Sequence, residues 1–282
     1  MPQSMRPLVV AFVADLYFAS RIDAAAQANA YRIRFIERSG EILSEQSVGA
    51  PVSISSPVQG MGLLDLITRI HPALILFDLN NDEVPWREWI ILLKTSPASR
   101  RVPIVCFGSH RNVSDITTAK ACGADAVFAR SQFVNSLETI LLSFSRSIDV
   151  EALNSACQES LSITAIHGLE LFNHREYFDA HEVLEEAWNQ EASQGKELYR
   201  AILQVAVTYY QIERGNFRGA MKMFLRLRQW IDPLPDRCRG VDIKQLKQDV
   251  EQVYEHMVAL GEAHIQEFDR GLFKPVRFDT SF

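Results

Sequence analysis

The stretch Pro72-Ala-Leu-Ile-Leu-Phe-Asp-Leu-Asn-Asn-Asp82 decides the fold of the first half of this chain. Its core, Ala73–Leu79, is a short unbroken apolar run that closes on an aspartate and then on turn-forming residues. Such a run is too short for a buried helix and lacks the apolar/polar alternation of a strand with one wet face. It reads as a strand of a parallel sheet covered on both faces. Working outward, runs of the same kind occur at Leu8–Ala14, Tyr31–Ile36, Val102–Phe107 and Asp125–Ala129. Helix-period patterns fall between and after them at 17–29, 61–70, 84–95, 112–121 and 131–147. Strands alternating with helices predict a five-stranded, parallel, doubly wound α/β domain. The stretch from Gly40 to Gly62, rich in Ser, Gly and Pro, reads as a surface loop inserted between elements.

After about Asp149 the strand patterns stop, which divides the chain into an α/β domain over 1–149 and a helical domain over 150–282. Helices are expected near 151–173, 176–190, 196–213, 217–231 and 242–269, forming an antiparallel bundle of about five. Asn173 with Glu176 has the spacing of a capping box, and Asn216 and Asp242 stand where N-caps belong. With 282 residues, 47% apolar and 23% charged, both halves have the composition of ordinary globular domains.

Charge narrows the partners. Residues 1–149 carry 14 basic and 14 acidic side chains, and residues 150–282 carry 15 and 21, so the net charge of -6 lies in the second half. Nucleic-acid binding, which needs a basic footprint, is not expected. The stripe Arg218, Lys222 and Arg226 is read as a solvated helix face. The segment MPQSMRPLVV has no export signal and no apolar run could cross a bilayer, so neither export nor membrane insertion is expected. Cys106, Cys122, Cys157 and Cys238 show no metal-ligand spacing and no C-x-x-C pair. They are read as reduced thiols, and the protein as cytoplasmic.

The run ending in Asp78, with VPIVCFGS (102–109) and GADAVFARSQF (123–133), resembles in order the third, fourth and fifth strands of response-regulator receiver domains, over about residues 7–147. The resemblance implies Asp78 as phosphoacceptor, with Asp15 from the acidic place after the first strand. Receivers hold a divalent metal between an acidic pair and the acceptor to neutralise developing charge. Here that pair is Ala14-Asp15, Gly108 stands at the hydroxyl position with Ser109 beside it, and Arg130 replaces the lysine. These departures point to a degenerate pseudo-receiver that packs or binds partners.

In the helical half, His181 and Glu185 lie one turn apart within the apolar arc of helix 176–190, where burial would oblige them to be hydrogen-bonded or metal-bound. The next helix is apolar nearly all round except for the line Glu197, Arg200, Gln204, Thr208 and Gln211. The text FNHREYFDAHEVLEEAW (172–188), followed by AILQVAVTYYQIERGNFRGA (201–220), resembles the uncharacterised helical family called domain of unknown function 309, over about 165–260. That resemblance implies a compact bundle and no established activity.

The candidate ligand-binding set is Tyr177, His181, Glu182, Glu185, Trp188, Arg200 and Gln204, with His181 and Glu185 as the residues that would hold a divalent metal. The motif His181-Glu182 has the start of a zinc-protease signature, but residue 185 is Glu, so the second imidazole is missing. Three functions compete. The first is a non-enzymatic regulatory or scaffolding protein in signalling, with a helical ligand- or partner-binding domain. The second is a metal-dependent hydrolase centred on His181, Glu182 and Glu185, and the third a response regulator phosphorylated at Asp78. Leu246, Val250, Val253, Met257, Leu260 and His264 repeat at spacings of four and three, so residues 242–269 would suit a homodimer seam.

Overall fold

The computed structural model describes residues 6–44, 57–146 and 149–279, and its internal contacts divide into two compact units, Met1–Ser147 and Ile148–Phe282. In the first unit the strands are β1 (Leu8–Phe12), β2 (Arg32–Phe35), β3 (Leu74–Asp78), β4 (Ile104–Gly108) and β5 (Ala126–Ala129). All neighbours pair in parallel and the spatial order is β2-β1-β3-β4-β5. This is the flavodoxin-like doubly wound order, and it places the carboxyl ends of β1 and β3 at the topological switch point. β3 and β4 are buried along their whole length, as their uninterrupted apolar sequences require, whereas the edge strands β2 and β5 are only partly covered.

The helices are α1 (Leu16–Ala28), α2 (Gly40–Ser44), α3 (Pro57–Ile70), α4 (Trp86–Thr95), α5 (Val113–Ala121), α6 (Arg130–Asn135) and α7 (Leu137–Phe144). One core layer joins Val9, Ala11 and Val13 of the β1 stretch to Phe18 and Ile22 of α1, Phe107 of β4, and Phe133, Ile140 and Leu141 of α6 and α7. The single helix expected over 131–147 is two, broken at Ser136. The expected loop 40–62 is bounded by α2 and by an α3 that already begins at Pro57; the rest of it lies outside the described residues.

The second unit contains α8 (Val150–Ala156), α9 (Ile163–Asn173), α10 (Tyr177–Gln190), α11 (Lys196–Glu213), α12 (Phe217–Ile231) and α13 (Ile243–Leu260). Short connections make α9 to α12 successive antiparallel neighbours, and α11 is the central helix, buried from Leu198 to Ile212 on most of its surface. The helix expected over 151–173 is interrupted between Ala156 and Ile163. The one over 242–269 stops at Leu260, because Gly261 (φ 70°) leaves the helical region before a 3-10 turn at Glu262–Glu267.

Asn216 and Asp242 cap their helices, accepting from Gly219 N at 3.0 Å and Gln245 N at 2.9 Å. Asn173 does not form the expected capping box. It ends α9, and its side chain pairs in both directions with the backbone of Val276, at 2.7 and 3.0 Å. This pins the C-terminal segment, whose Phe273 stacks on Tyr209 with centroids 4.2 Å apart.

Between α12 and α13 lies a two-stranded ribbon, β6 (Arg237–Cys238) and β7 (Val241–Asp242). Its two-residue loop, Arg239-Gly240, has φ of 49° and 84°, the signature of a tight hairpin turn with two left-handed positions.

The cysteine expectation is corrected here, because Cys157 and Cys238 form a disulfide across a sequence separation of 81, while Cys106 and Cys122 are free. The premise for a reducing, cytoplasmic address therefore falls away. The dimer-seam expectation changes too: Leu246, Val250, Val253 and Met257 are buried within their own bundle, and His264 is exposed and bonded to Glu267. No helix among the described residues is long and apolar enough to cross a membrane.

Candidate functional site

At the carboxyl end of β3, Asp78 is 2% exposed. Its Oδ1 accepts from Asn80 N at 3.0 Å, and Arg130 Nη2 straddles the carboxylate, 2.9 Å from Oδ2 and 3.2 Å from Oδ1. Arg130 is the first residue of α6, directly after β5, and so arrives at Asp78 from across the sheet edge. Its guanidinium also lies over the ring of Phe18, 4.8 Å from the centroid. Burial pushes the Asp78 carboxyl above its ordinary value of 3.8. The Asn80 N–H and Arg130 pull it partly back, and nearby Asp15 adds to the rise.

The remaining receiver positions are occupied by other work. Asp15 is exposed and serves as the N-cap of α1, accepting from Tyr17 N at 2.9 Å. A Cβ at Gly108 would lie 3.2 Å from Leu79 Cβ and 3.3 Å from its Cδ1, so a hydroxyl residue there would press on the Leu79 side chain. Ser109 Oγ accepts from Arg111 N at 3.3 Å within its own turn, and Ser109 N donates to Asn80 Oδ1 at 3.1 Å. The structure thus brings Asp78 and Arg130 together and leaves Asp15 and Ser109 to local capping.

The helical candidates separate into three environments. Tyr177 is a core residue, packed edge-on against Phe172, Tyr209 and Phe273, and burial pushes its phenol up to about 12. The reading of a buried histidine–carboxylate pair is corrected: His181 is half-buried, and Glu182 and Glu185 are exposed. The faces of α10 that the bundle covers are those of Tyr177, Ala180, Leu184 and Ala187, so the apolar arc is narrower than the sequence suggests. Among the described residues, no group of three or more His, Cys, Asp or Glu side chains could hold a metal ion.

Trp188 and Arg200, by contrast, meet. The Arg200 guanidinium lies over two indoles, 4.8 Å from the Trp188 centroid on α10 and 3.6 Å from the Trp230 centroid on α12, and its Nη1 is 3.9 Å from Glu197 Oε2. A cation over indole rings is attracted by their quadrupoles. One turn along α11, Gln204 is 7% exposed. Its Oε1 and the Trp188 Nε1 are buried without a hydrogen-bond partner among the described residues. Thr208, fully buried, bonds back to the Gln204 carbonyl at 2.7 Å.

Sequence reasoning passed over Trp230 and Arg239. Trp230 sits on α12, outside the quoted motifs, and only its approach to Arg200 reveals it. Arg239 is 3% exposed and makes five side-chain hydrogen bonds. It donates from Nε to Ala156 O (3.0 Å), from Nη1 to Glu191 Oε2 (2.6 Å) and Tyr199 OH (2.8 Å), and from Nη2 to Glu159 Oε2 (2.5 Å) and Ser193 Oγ (3.0 Å). The only sequence signal was a charged residue next to a cysteine in a short Arg-Gly turn.

With this geometry in view, the first unit is an α/β domain of the kind that receivers adopt, with an ion pair at its switch point. Solved structures similar to it include a phosphorylated cyanobacterial phytochrome response regulator, RcpA (18% identity, TM-score 0.37), which the match covers over 49% of this chain and 94% of that one. The manganese-bound response regulator Rcp1 matches at 13% identity and TM-score 0.38, over 50% and 96% of the two chains. A receiver domain from Rhodospirillum rubrum matches at 19% identity and TM-score 0.36, over 49% and 92%. In the second unit, residues 165–223 match the family model described as Domain of unknown function (DUF309). No curated protein matches the chain.

Proposed function

We propose that this chain is a non-enzymatic regulatory or scaffolding protein. Its receiver-like domain, residues 1–149, is held in one state, and its helical domain, residues 150–282, binds a ligand or a protein partner. The observation that carries this reading is the contact of Arg130 Nη2 with both oxygens of Asp78. A carboxylate so engaged is a poor nucleophile, and the cation beside it takes the place in which a divalent metal would act. Asp15, committed to capping α1, supports the same conclusion. In the helical domain the contacts of Arg200 with the rings of Trp188 and Trp230, beside the buried Gln204 Oε1, support recognition of a ligand or partner there.

Thermal melting of the full chain with magnesium and beryllofluoride, a phosphoryl mimic, tests the reading. No change in Tm is expected. A rise of several degrees that disappears in Asp78→Asn would mean that Asp78 is a working acceptor and that the protein is a phosphorylation-dependent response regulator.

A further inference from the structure

The geometry points to Cys157 and Cys238 as a reversible thiol–disulfide site that controls how firmly α8 is anchored to the helical unit. α8 has seven residues and only Leu153 and Ala156 of it are buried; Cys157, its C-cap, is 4% exposed. A helix this short does not persist in water by itself, so its order depends on what ties it down. Two ties are present. One is the covalent bond from Cys157 to Cys238 of β6. The other is Arg239, whose backbone N–H donates to Cys157 O at 2.8 Å and whose side chain holds Ala156 O and Glu159 while bonding Glu191, Ser193 and Tyr199 of the bundle. A further bond, Ser162 N to Tyr199 OH at 3.2 Å, fixes the end of the same segment.

The Arg239 ties do not involve sulfur. With the disulfide open they keep Cys157 beside β6, so the thiols stay placed for closure, while α8 loses its covalent anchor. Helices α9 to α13 themselves contain neither cysteine. Opening is therefore local, confined to the segment that begins the second unit.

The co-reactant is a low-molecular-weight disulfide. Cys157 is the sulfur reached when α8 frays, because Cys238 is fully buried. The Cys157 thiolate attacks the small disulfide, forming a mixed disulfide and expelling one small thiolate. The Cys238 thiolate then attacks Cys157 Sγ, forming the Cys157–Cys238 bond and expelling the second. Two electrons pass from the protein to the small disulfide, and the two protons end on the released thiols. A dithiol reverses the sequence.

The test uses the full chain, reduced and then exposed to glutathione disulfide, with adducts mapped by peptide mass and amide hydrogen exchange followed in both states. Expected are closure of the wild type, a glutathione adduct trapped on Cys157 in Cys238→Ser, and at least about a tenfold faster exchange over 150–156 on reduction, with α11 unchanged. The proposal is overturned by unchanged exchange in α8, by equal acceleration throughout α9 to α13, or by thiols that fail to couple under excess oxidant. If either serine variant does not fold, the exchange measurement on the wild type alone decides.

Discussion

Each unit pairs an arginine with a carboxylate, and the two pairings have opposite electrostatic outcomes. In the first, Asp78 is 2% exposed and its cation, Arg130, keeps 33% of its side chain in solvent, so burial wins and the carboxyl is pushed up. In the second, the arginine is the buried member. The Arg239 side chain is 2% exposed, whereas Glu191 and Glu159 keep 18% and 57% of theirs. Burial also raises the Glu191 carboxyl. The Ser193 N–H and the Arg239 bond outweigh it, and the net displacement is below the ordinary 4.5. The depth of the carboxylate and its number of donors, rather than the presence of an arginine, decide the sign. Asp78 is a buried acid whose donors only partly offset its burial, and Arg239 a buried cation with five acceptors.

That contrast is broken or sharpened most strongly at Arg239. Arg239→Ala removes five side-chain donations, to Ala156, Glu159, Glu191, Ser193 and Tyr199, and should destabilise the helical unit by about 3–5 kcal/mol in urea unfolding. A loss under about 1 kcal/mol would make the joint ornamental. Gly195→Ala should act through the same arginine. Its Cβ would lie 2.2 Å from Arg239 Nη2, so the guanidinium must move, and a cost of about 1–3 kcal/mol is expected, read as a lower Tm.

The smallest effect is expected at Asp78. Asp78→Asn should leave stability within about 1 kcal/mol of the wild type, because it deletes an expensive buried charge while Arg130 can turn to water. Its pH dependence carries the sharper sign. A carboxyl raised on folding binds its proton more tightly in the folded state, so the Asp78 contribution is greatest below the unfolded value near 3.8 and is lost as pH rises through the raised one. Glu191 behaves in the opposite sense: its contribution is present above 4.5 and is lost as pH falls through its lowered value. Stability profiles of Asp78→Asn and Glu191→Gln against the wild type should therefore diverge with opposite slopes over the acid range. Slopes of the same sign would refute the comparison.

The α/β unit was legible because its strands are apolar runs punctuated by residues that mark their ends: Asp78 closing β3, Gly108 closing β4 and Gly123 before β5. Helices α10, α11 and α12 were equally plain, since Gly195 and Gly215-Asn216 mark their breaks. The candidate site was legible only in part. Asp78 and Arg130 could be placed at one sheet edge because both stand at the carboxyl ends of parallel strands, but their direct contact depends on the reach of one side chain. Trp188 stood in the quoted motif and Arg200 on the polar line of the next helix, whereas Trp230 stood outside both. His181 and Glu185 were misread because a helical arc gives the direction of a face and not how far the neighbouring helix covers it. The Cys157–Cys238 bond joins residues 81 apart, and such pairing leaves no local pattern. Arg239 occupies a left-handed turn position without being Gly or Asn, a placement that only the completed network around it explains.

The central claim, that Arg130 holds Asp78 out of phosphoryl chemistry, is tested most directly by incubating the full chain with acetyl phosphate and magnesium and measuring its intact mass beside Asp78→Asn. The account predicts no phosphate adduct on either protein. A stoichiometric adduct on the wild type, absent from Asp78→Asn, would contradict it.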